Sequence, residues 1–367
     1  MISRPKRLIF SGGGTGGHIY PALAMATAFL QRHPDTEVLF VGASRGMEVQ
    51  LIPKAGFALQ TLDLTYLPRN LSVRQLGAIW RAFLGVRRAA GILREFSPDV
   101  VVGTGGYAAG PTVLRAALSG LPTLIHEQNA FPSLTNRFLG RFVNRIAVSH
   151  DAALKFFPAG KTVVTGNPLR AEMLYADRER ARQDLGYEPD DFLLVVVGGS
   201  GGALGINRAV CNAYPALLAQ GIHVYHVAGT RDFPMVMAAA EGIADSRLRV
   251  VDFADNMPEL WAAADLAVSR PGSTTAELAL MGVPAILIPS PIAANDHQTH
   301  NAMTLVHAGA AVMVKESELD SGILYKHIVR LYSDRETRAT MSGAMRSLAR
   351  PNATQEVCNL IEGLLRH

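Results

Sequence analysis

Two cysteines in 367 residues, Cys211 and Cys358, are too few and too far apart for a disulfide scaffold or a zinc-ligand set. That scarcity suits a reducing, cytosolic compartment. No apolar run reaches the roughly 18 residues of a membrane-spanning helix. The greasiest stretches, Leu193 to Val197 and Ala285 to Ile288, have the length of strands, so no spanning helix is expected. Met1 to Ile9 reads as a basic lead-in to a strand and lacks the apolar region of a signal peptide. Low-complexity tracts and long Gly/Ser linkers are missing too. What remains is 49% hydrophobic and 18% charged, a globular composition with apolar content for two cores. The length exceeds one ordinary domain and fits two of roughly 150–180 residues.

Acids are scarce in one place. Between Leu67 and Phe96 stand six arginines (Arg69, Arg74, Arg81, Arg87, Arg88 and Arg94) and a single acid, Glu95. Tyr66, Leu67, Leu71, Trp80 and Phe83 interleave with them. Arg74, Arg81 and Arg88 recur every seven residues and so share one helical face. That face, with apolar Tyr66 and Leu67 beside it, suits peripheral contact with an anionic membrane surface; Trp80 and Phe83 are expected in the core. The net charge of +4 fits a phosphate-bearing ligand as well. No RNA-binding signature accompanies the basic run, so nucleic acid is not an expected partner.

Short β-rich runs alternate with helical patterns, the mark of a parallel sheet covered by helices on both faces. Strands are expected at Arg7 to Phe10, Val38 to Val41, Val100 to Val102, Thr123 to His126 and Arg145 to Val148, with a helix from Pro21 to Arg32. The second half begins the scheme afresh: a strand at Phe192 to Val197, a helix from Asn207 to Ala219, then strands at Val224 to Val227, Leu248 to Val251, Leu266 to Val268 and Ala285 to Ile288. The simplest reading is an α/β protein of two Rossmann-like domains, 1–167 and 168–350, facing each other across a cleft. A C-terminal helix at about 351–367 packs back on the first.

Three glycine loops stand out. Ser11-Gly-Gly-Gly-Thr-Gly-Gly-His18 links a strand to a helix, as do Gly103-Thr-Gly-Gly-Tyr-Ala-Ala-Gly-Pro111 and Gly198-Gly-Ser-Gly-Gly-Ala-Leu-Gly205. Without β-carbons, backbone N–H groups approach an anion closely, and the helix dipole adds to the attraction. Each loop is also readable as a plain strand-to-helix turn. Gly12, Gly14 and Gly17 satisfy the dinucleotide spacing, but that fingerprint needs an acid at the end of the second strand, where this chain reads Val41-Gly-Ala-Ser-Arg45. A P-loop fails because His18 stands where its lysine belongs. A diphosphate donor and a diphosphate acceptor together would use the three loops.

The motifs Gly13-Gly-Thr-Gly-Gly-His18, Gly105-Gly-Tyr107, His126-Glu-Gln-Asn129, Gly166-Asn-Pro-Leu-Arg170, Gly198-Gly-Ser200, Ser269-Arg-Pro-Gly272, Glu277 and Asp296-His-Gln298 occur in that order. As an ordered set, running from about residue 8 to about residue 310, they resemble the MurG family of N-acetylglucosaminyltransferases, which convert lipid I to lipid II in peptidoglycan synthesis. The resemblance implies a GT-B fold and an inverting transfer from UDP-N-acetylglucosamine to lipid I at the cytoplasmic face of the membrane. Carried over by position, Thr15, Gly16, Gly17 and Asn129 contact donor or acceptor, and Gly14, Gly106 and Tyr107 the acceptor. Arg170 and Ser200 approach the UDP diphosphate, Ala254 borders the uracil, Glu277 holds the ribose and Gln298 the sugar. The turn Gly272-Ser-Thr-Thr-Ala-Glu277 is one residue shorter than in many relatives, which leaves the roles of Ser273, Thr274 and Thr275 open.

Such a transfer needs a base for the incoming hydroxyl and stabilisation of the departing UDP. His18 is the natural base candidate and Glu127 the second, each with a blander reading: orienting the loop or the acceptor diphosphate for His18, bracing a loop for Glu127. No Asp-x-Asp pair stands at a strand end, so no obligatory metal cofactor is expected, although a divalent cation can accompany UDP. Asp296, His297 and His300 read as a sugar-contacting loop rather than a metal site. The rivals are another GT-B transferase, such as a glycolipid-forming one, and a UDP-sugar epimerase; an oxidoreductase lacks its ribose acid.

Overall fold

The computed structural model describes residues 4–64, 73–199 and 201–365, with only the backbone described at 73–83 and at 321. It divides into two compact units, Met1–Ala171 with Arg350–His367, and Glu172–Ala349. The changeover follows Ala171 rather than residue 167, so Arg170 belongs to the first unit.

The first unit runs β1 (Arg7–Gly12), α1 (Gly16–Arg32), β2 (Glu37–Ala43), α2 (Glu48–Lys54), β3 (Ala58–Leu62), α3 (Val73–Phe96), β4 (Val100–Gly105), α4 (Gly106–Leu118), β5 (Thr123–Glu127), α5 (Leu134–Leu139), β6 (Arg145–Val148) and β7 (Thr162–Val164). Its seven strands pair in parallel in the order β3-β2-β1-β4-β5-β6-β7. Side chains alternate across the sheet. Ile9, Val101 and Ile125 point into one core with Ala109 and Val113 of α4. Leu8, Phe10, Val100, Val102 and Leu124 point into the other, with Ile19, Met25 and Phe29 of α1. Burial on both faces is why these strands read as unbroken apolar runs. Helix α1 starts at Gly16, so Pro21 lies beyond the first turn where the sequence suggested it.

The second unit follows with α6 (Ala171–Tyr175), α7 (Arg178–Leu185), β8 (Leu193–Val197), α8 (Leu204–Ala219), β9 (His223–Val227), α9 (Phe233–Ala240), β10 (Leu248–Val251), α10 (Met257–Ala263), β11 (Leu266–Ser269), α11 (Thr274–Met281), β12 (Ala285–Leu287), α12 (His297–His307), β13 (Ala311–Met313), α13 (Ile323–Ser333) and α14 (Arg335–Ser347). Its parallel sheet has the order β10-β9-β8-β11-β12-β13. An ion pair between buried Arg182 and Asp265 (2.5 Å) ties α7 to the α10–β11 turn, with four backbone carbonyls, of Ala263, Glu188, Pro189 and Asp191, accepting from the rest of the guanidinium.

The last helix, α15 (Ala353–Leu365), returns to the first unit. Val357, Cys358 and Ile361 are fully buried against the α1 face; burying an aliphatic side chain such as Val357 or Ile361 contributes about 1.5–3 kcal/mol. Glu362 accepts from Arg32 (3.1 Å) and His33 (3.0 Å) at the rim.

Candidate active site

In each sheet the strand order reverses beside its first strand, between β1 and β4 and between β8 and β11. Ligands of doubly wound sheets bind outside the strand ends at that point. Glycine loops stand at three of these four ends.

In the first unit the loops after β1 and β4 touch. A β-carbon at Gly106 would lie 2.4 Å from the Gly13 carbonyl oxygen, and φ is +76° there. Only glycine meets both demands. Thr15 is extended and precedes α1, whose first-turn N–H groups at Gly16 and Gly17 have no partner inside the helix. His18, on that same turn, brings Nδ1 to 3.2 Å from the Gly13 oxygen and 3.3 Å from Thr15 Oγ1. A carbonyl can only accept, so a hydrogen bond at this contact requires the tautomer with its proton on Nδ1. Gly105 faces the Nε2 edge, where a β-carbon would stand 3.2 Å from that nitrogen.

The second base candidate is differently engaged. Glu127 ends β5 almost fully buried. Its Oε1 accepts from the Asn129 backbone (3.0 Å) and side chain (2.9 Å), and its Oε2 from Ser133 N (3.0 Å) and Asn136 Nδ2 (2.9 Å). Four donors on one carboxylate brace the β5–α5 loop and position Asn129. Tyr107 lies against Gly14 and donates its hydroxyl to the Arg45 carbonyl (3.1 Å). Burial, then the Glu48 charge, raises its pKa. Arg170 places its guanidinium 5.3 Å from the centre of the Tyr20 ring. His126 is fully buried beside Gly166, at 3.0 Å from its oxygen, and desolvation lowers its pKa to about 4, so it is neutral at ordinary pH.

One residue of this site was not anticipated. Glu48, fully buried at the start of α2, accepts from Gly14 N (2.9 Å) and Ala43 N (3.0 Å) beneath the first loop. β-Carbons at Gly13, Gly42 and Gly46 would lie 2.2, 2.9 and 2.3 Å from its side chain. The available signal was an acid flanked by glycines, Gly42-Ala-Ser-Arg-Gly46-Met-Glu48.

In the second unit, Glu277 sits in the first turn of α11 and accepts from the indole N–H of Trp261 (2.9 Å), whose side chain is wholly buried. Trp261 carried no role in the sequence reading. Thr275 is buried and donates to the Gly272 carbonyl (2.8 Å), which closes the short turn; Ser273 precedes the helix and Thr274 opens it. Arg270 pairs with Glu316 (2.6 Å), whose carboxylate fills the space in front of Gly205 and so links the β11 and β8 loops. Gln298 Oε1 accepts from Ser290 N (2.7 Å), which holds the side-chain amide at the β12 end. Asn295 and Asp296 are both left-handed (φ +53° and +52°), a strained pair that starts α12. Ala254 is buried in the loop after β10. Ser200 and Arg69 lie outside the described residues, as do Tyr66, Leu67 and Leu71, and so do the side chains of Arg74, Arg81, Trp80 and Phe83. Arg87, Arg88 and Arg94 are exposed on α3. Among the described residues no helix is long and apolar enough to cross a membrane, and no cluster of three His, Cys, Asp or Glu could hold a metal.

The chain matches the glycosyltransferase family 28 N-terminal domain over residues 8–148 and the family's C-terminal domain over residues 193–357. It is 40% identical over 363 residues to the UDP-N-acetylglucosamine–N-acetylmuramyl-(pentapeptide) pyrophosphoryl-undecaprenol N-acetylglucosamine transferase of Thermoanaerobacter sp. (strain X514), covering 98% of this chain and 100% of that one. It is 41% identical over 366 residues to the enzyme of the same name from Desulforudis audaxviator, covering 98% of each. The crystal structure of Acinetobacter baumannii MurG superposes with a TM-score of 0.77 at 31% identity, over 98% of this chain and 100% of that one. Two Rossmann-like units of GT-B type, both family 28 domains and identity along nearly the full length of these transferases lead to one conclusion: the chain belongs to the MurG family of N-acetylglucosamine transferases.

Proposed function

We propose that this protein transfers N-acetylglucosamine from UDP to the C4 hydroxyl of undecaprenyl-pyrophosphoryl-N-acetylmuramyl-pentapeptide, lipid I, with inversion at the anomeric carbon, yielding lipid II. The observation that carries this reading is the identity along nearly the whole chain with transferases named for this reaction. The acceptor oxygen bonds to the anomeric carbon as the bond from that carbon to the UDP phosphate oxygen breaks, and UDP leaves with the electron pair. His18 Nε2 takes the hydroxyl proton; its Nδ1 contact with Gly13 supports that assignment. The N–H groups at the start of α1 and the bare glycines at 14 and 106 suit a diphosphate on the first unit. In the second unit Glu277, held by Trp261, binds the ribose hydroxyls, and Gln298 binds the sugar. Arg170 and the backbone N–H groups of the Ser200 loop offset charge on the departing diphosphate. No obligatory metal enters this scheme.

The basic face of α3, with Arg88 exposed on it, suits docking on an anionic membrane surface, where each basic residue near the headgroups contributes about 1 kcal/mol. The test of the reaction is UDP release from UDP-N-acetylglucosamine with and without a short-chain lipid I analogue, in wild type and Glu277→Ala. Acceptor-dependent release that the substitution largely abolishes supports the proposal. Folded protein that shows no acceptor-dependent release overturns the acceptor assignment.

A further inference from the structure

The Gly13 carbonyl and the Gly14 N–H are the two ends of one planar peptide and point in opposite directions. Glu48 holds the N–H end, at 2.9 Å, and His18 Nδ1 meets the carbonyl end, at 3.2 Å. We propose that Glu48 is a positioning residue for the base: a carboxylate that orients His18 through an interposed peptide. The arrangement does the work of a carboxylate bonded directly to an imidazole, which holds the ring in one tautomer and stabilises the imidazolium that forms as it takes a proton. Here the carboxylate accepts Gly14 N–H, which fixes the direction of the Gly13 carbonyl, and that carbonyl accepts Nδ1–H. The proton therefore sits on Nδ1 and the lone pair on Nε2.

The surroundings leave this peptide little freedom. Glu48 is fully buried in a cage of three glycines, Gly13, Gly42 and Gly46, each bare where a side chain would strike the carboxylate or its stem. From the other side Gly106 leaves room for the Gly13 oxygen, at the 2.4 Å where its β-carbon would have been. A second donor, Ala43 N–H at 3.0 Å, locks the other carboxylate oxygen to the end of β2. Turning the peptide over would aim its carbonyl at a buried carboxylate. A consequence for binding is that Gly14 N–H is engaged below the loop, so the donors offered to an anion begin at Thr15 and Gly16.

The role in catalysis rests on the reading of His18 as the base; the orientation of the ring does not, and the test separates them. Long-range proton–nitrogen spectra of 15N-labelled protein report the tautomer of each histidine, with His18→Gln identifying the His18 signals. Wild type is expected in the Nδ1–H form, with slow exchange of the Gly14 and Ala43 amides. Glu48→Gln offers one acceptor oxygen to two N–H donors. It is expected to lower kcat by about 10- to 100-fold with KM for UDP-N-acetylglucosamine changed less than about twofold, a split that general loosening would not produce. A wild-type Nε2–H tautomer overturns the proposal, as does a folded Glu48→Gln protein with wild-type kcat. If Glu48→Gln does not fold, the wild-type tautomer and Gly14 exchange decide alone, and a fast-exchanging Gly14 amide overturns it. His18→Gln with undiminished kcat would remove His18 as the base while the tautomer still judges the orientation.

Discussion

Replacing Trp261 by phenylalanine removes the one N–H that this side chain gives Glu277, in a site that binds, in the function proposed, the donor's ribose. The indole nitrogen stands 2.9 Å from Glu277 Oε2 and its side chain has no solvent exposure, so the bond is charge-assisted and formed from the buried side. Such bonds contribute about 1.5–3 kcal/mol. Glu277 is partly exposed, so water can replace the lost N–H, which argues for the lower end. About 1.4 kcal/mol is a factor of ten, so KM for UDP-N-acetylglucosamine should rise roughly tenfold with kcat within about threefold. The smaller ring also leaves a void at a fully buried position, and a loss of about 1–2 kcal/mol lowers Tm by roughly 3–6 °C for a unit of this size. Leu260→Ala is the control. That residue is fully buried on the same helix and should cost more stability, about 2–5 kcal/mol, without moving the donor KM. The assay is initial-rate UDP release at varied donor and saturating acceptor analogue. A folded Trp261→Phe protein with wild-type donor KM, or a KM shift equalled by Leu260→Ala, refutes the positioning argument.

Other perturbations separate the loops, the buried histidines and the C-terminal helix. Gly106→Ala combines φ of +76° with a β-carbon 2.4 Å from the Gly13 oxygen, and Gly56→Ala has φ of +83° in open space; both should cost about 1–3 kcal/mol in denaturation, but only the first should reduce turnover more than about tenfold. Desolvation lowers His126 and His226 to about 4 from near 6.5 in the unfolded chain. The unfolded chain therefore binds protons that the folded one refuses, and stability present above about pH 6.5 is lost as pH falls towards 4, up to about 3 kcal/mol for each group. Urea midpoints at pH 7.5, 6 and 5 should fall in that order, and equal midpoints would contradict the assigned burial. Ile361→Ala, which empties a fully buried position on α15, should cost about 2–5 kcal/mol and expose the C-terminal helix to protease before the rest of the chain; cleavage no faster than in wild type would count against its place in the α1 core. Turnover in excess chelator should persist, and its complete loss would show that a cation is obligatory.

The central strands were legible because burial on both faces writes them as apolar runs: β4, β6, β8 and β11 fall within a few residues of expectation. The three strands that the sequence did not disclose, β3, β7 and β13, all lie at sheet edges. They are short and mostly half-exposed, so the periodic signal is weak where it was needed. Helices α1 and α8 begin earlier than expected, at Gly16 and Leu204, so that Ile19 and Ile206 at the loop ends already belong to the buried face. The site was legible as far as its motifs. Its supports were not, because Trp261 and Glu48 act across elements that sequence spacing cannot bring together. Glu48 also resolves the dinucleotide question in physical terms. An acid does follow the second strand, but five residues past its end, where α2 turns it under the glycine loop rather than out towards a ribose. The second unit repeats the placement: Asp232 stands five residues past β9, buried, with its carboxylate 2.6 Å from where a β-carbon on Gly202 would be. Asn207 of α8 donates to it, and His226 and Tyr214 continue that chain into the core. In both units, then, an acid after the second strand supports the loop after the first from beneath. A ribose carboxylate at that strand end would compete for the same space; Glu277, which binds the ribose in the function proposed, follows the fourth strand of its unit and lies outside it.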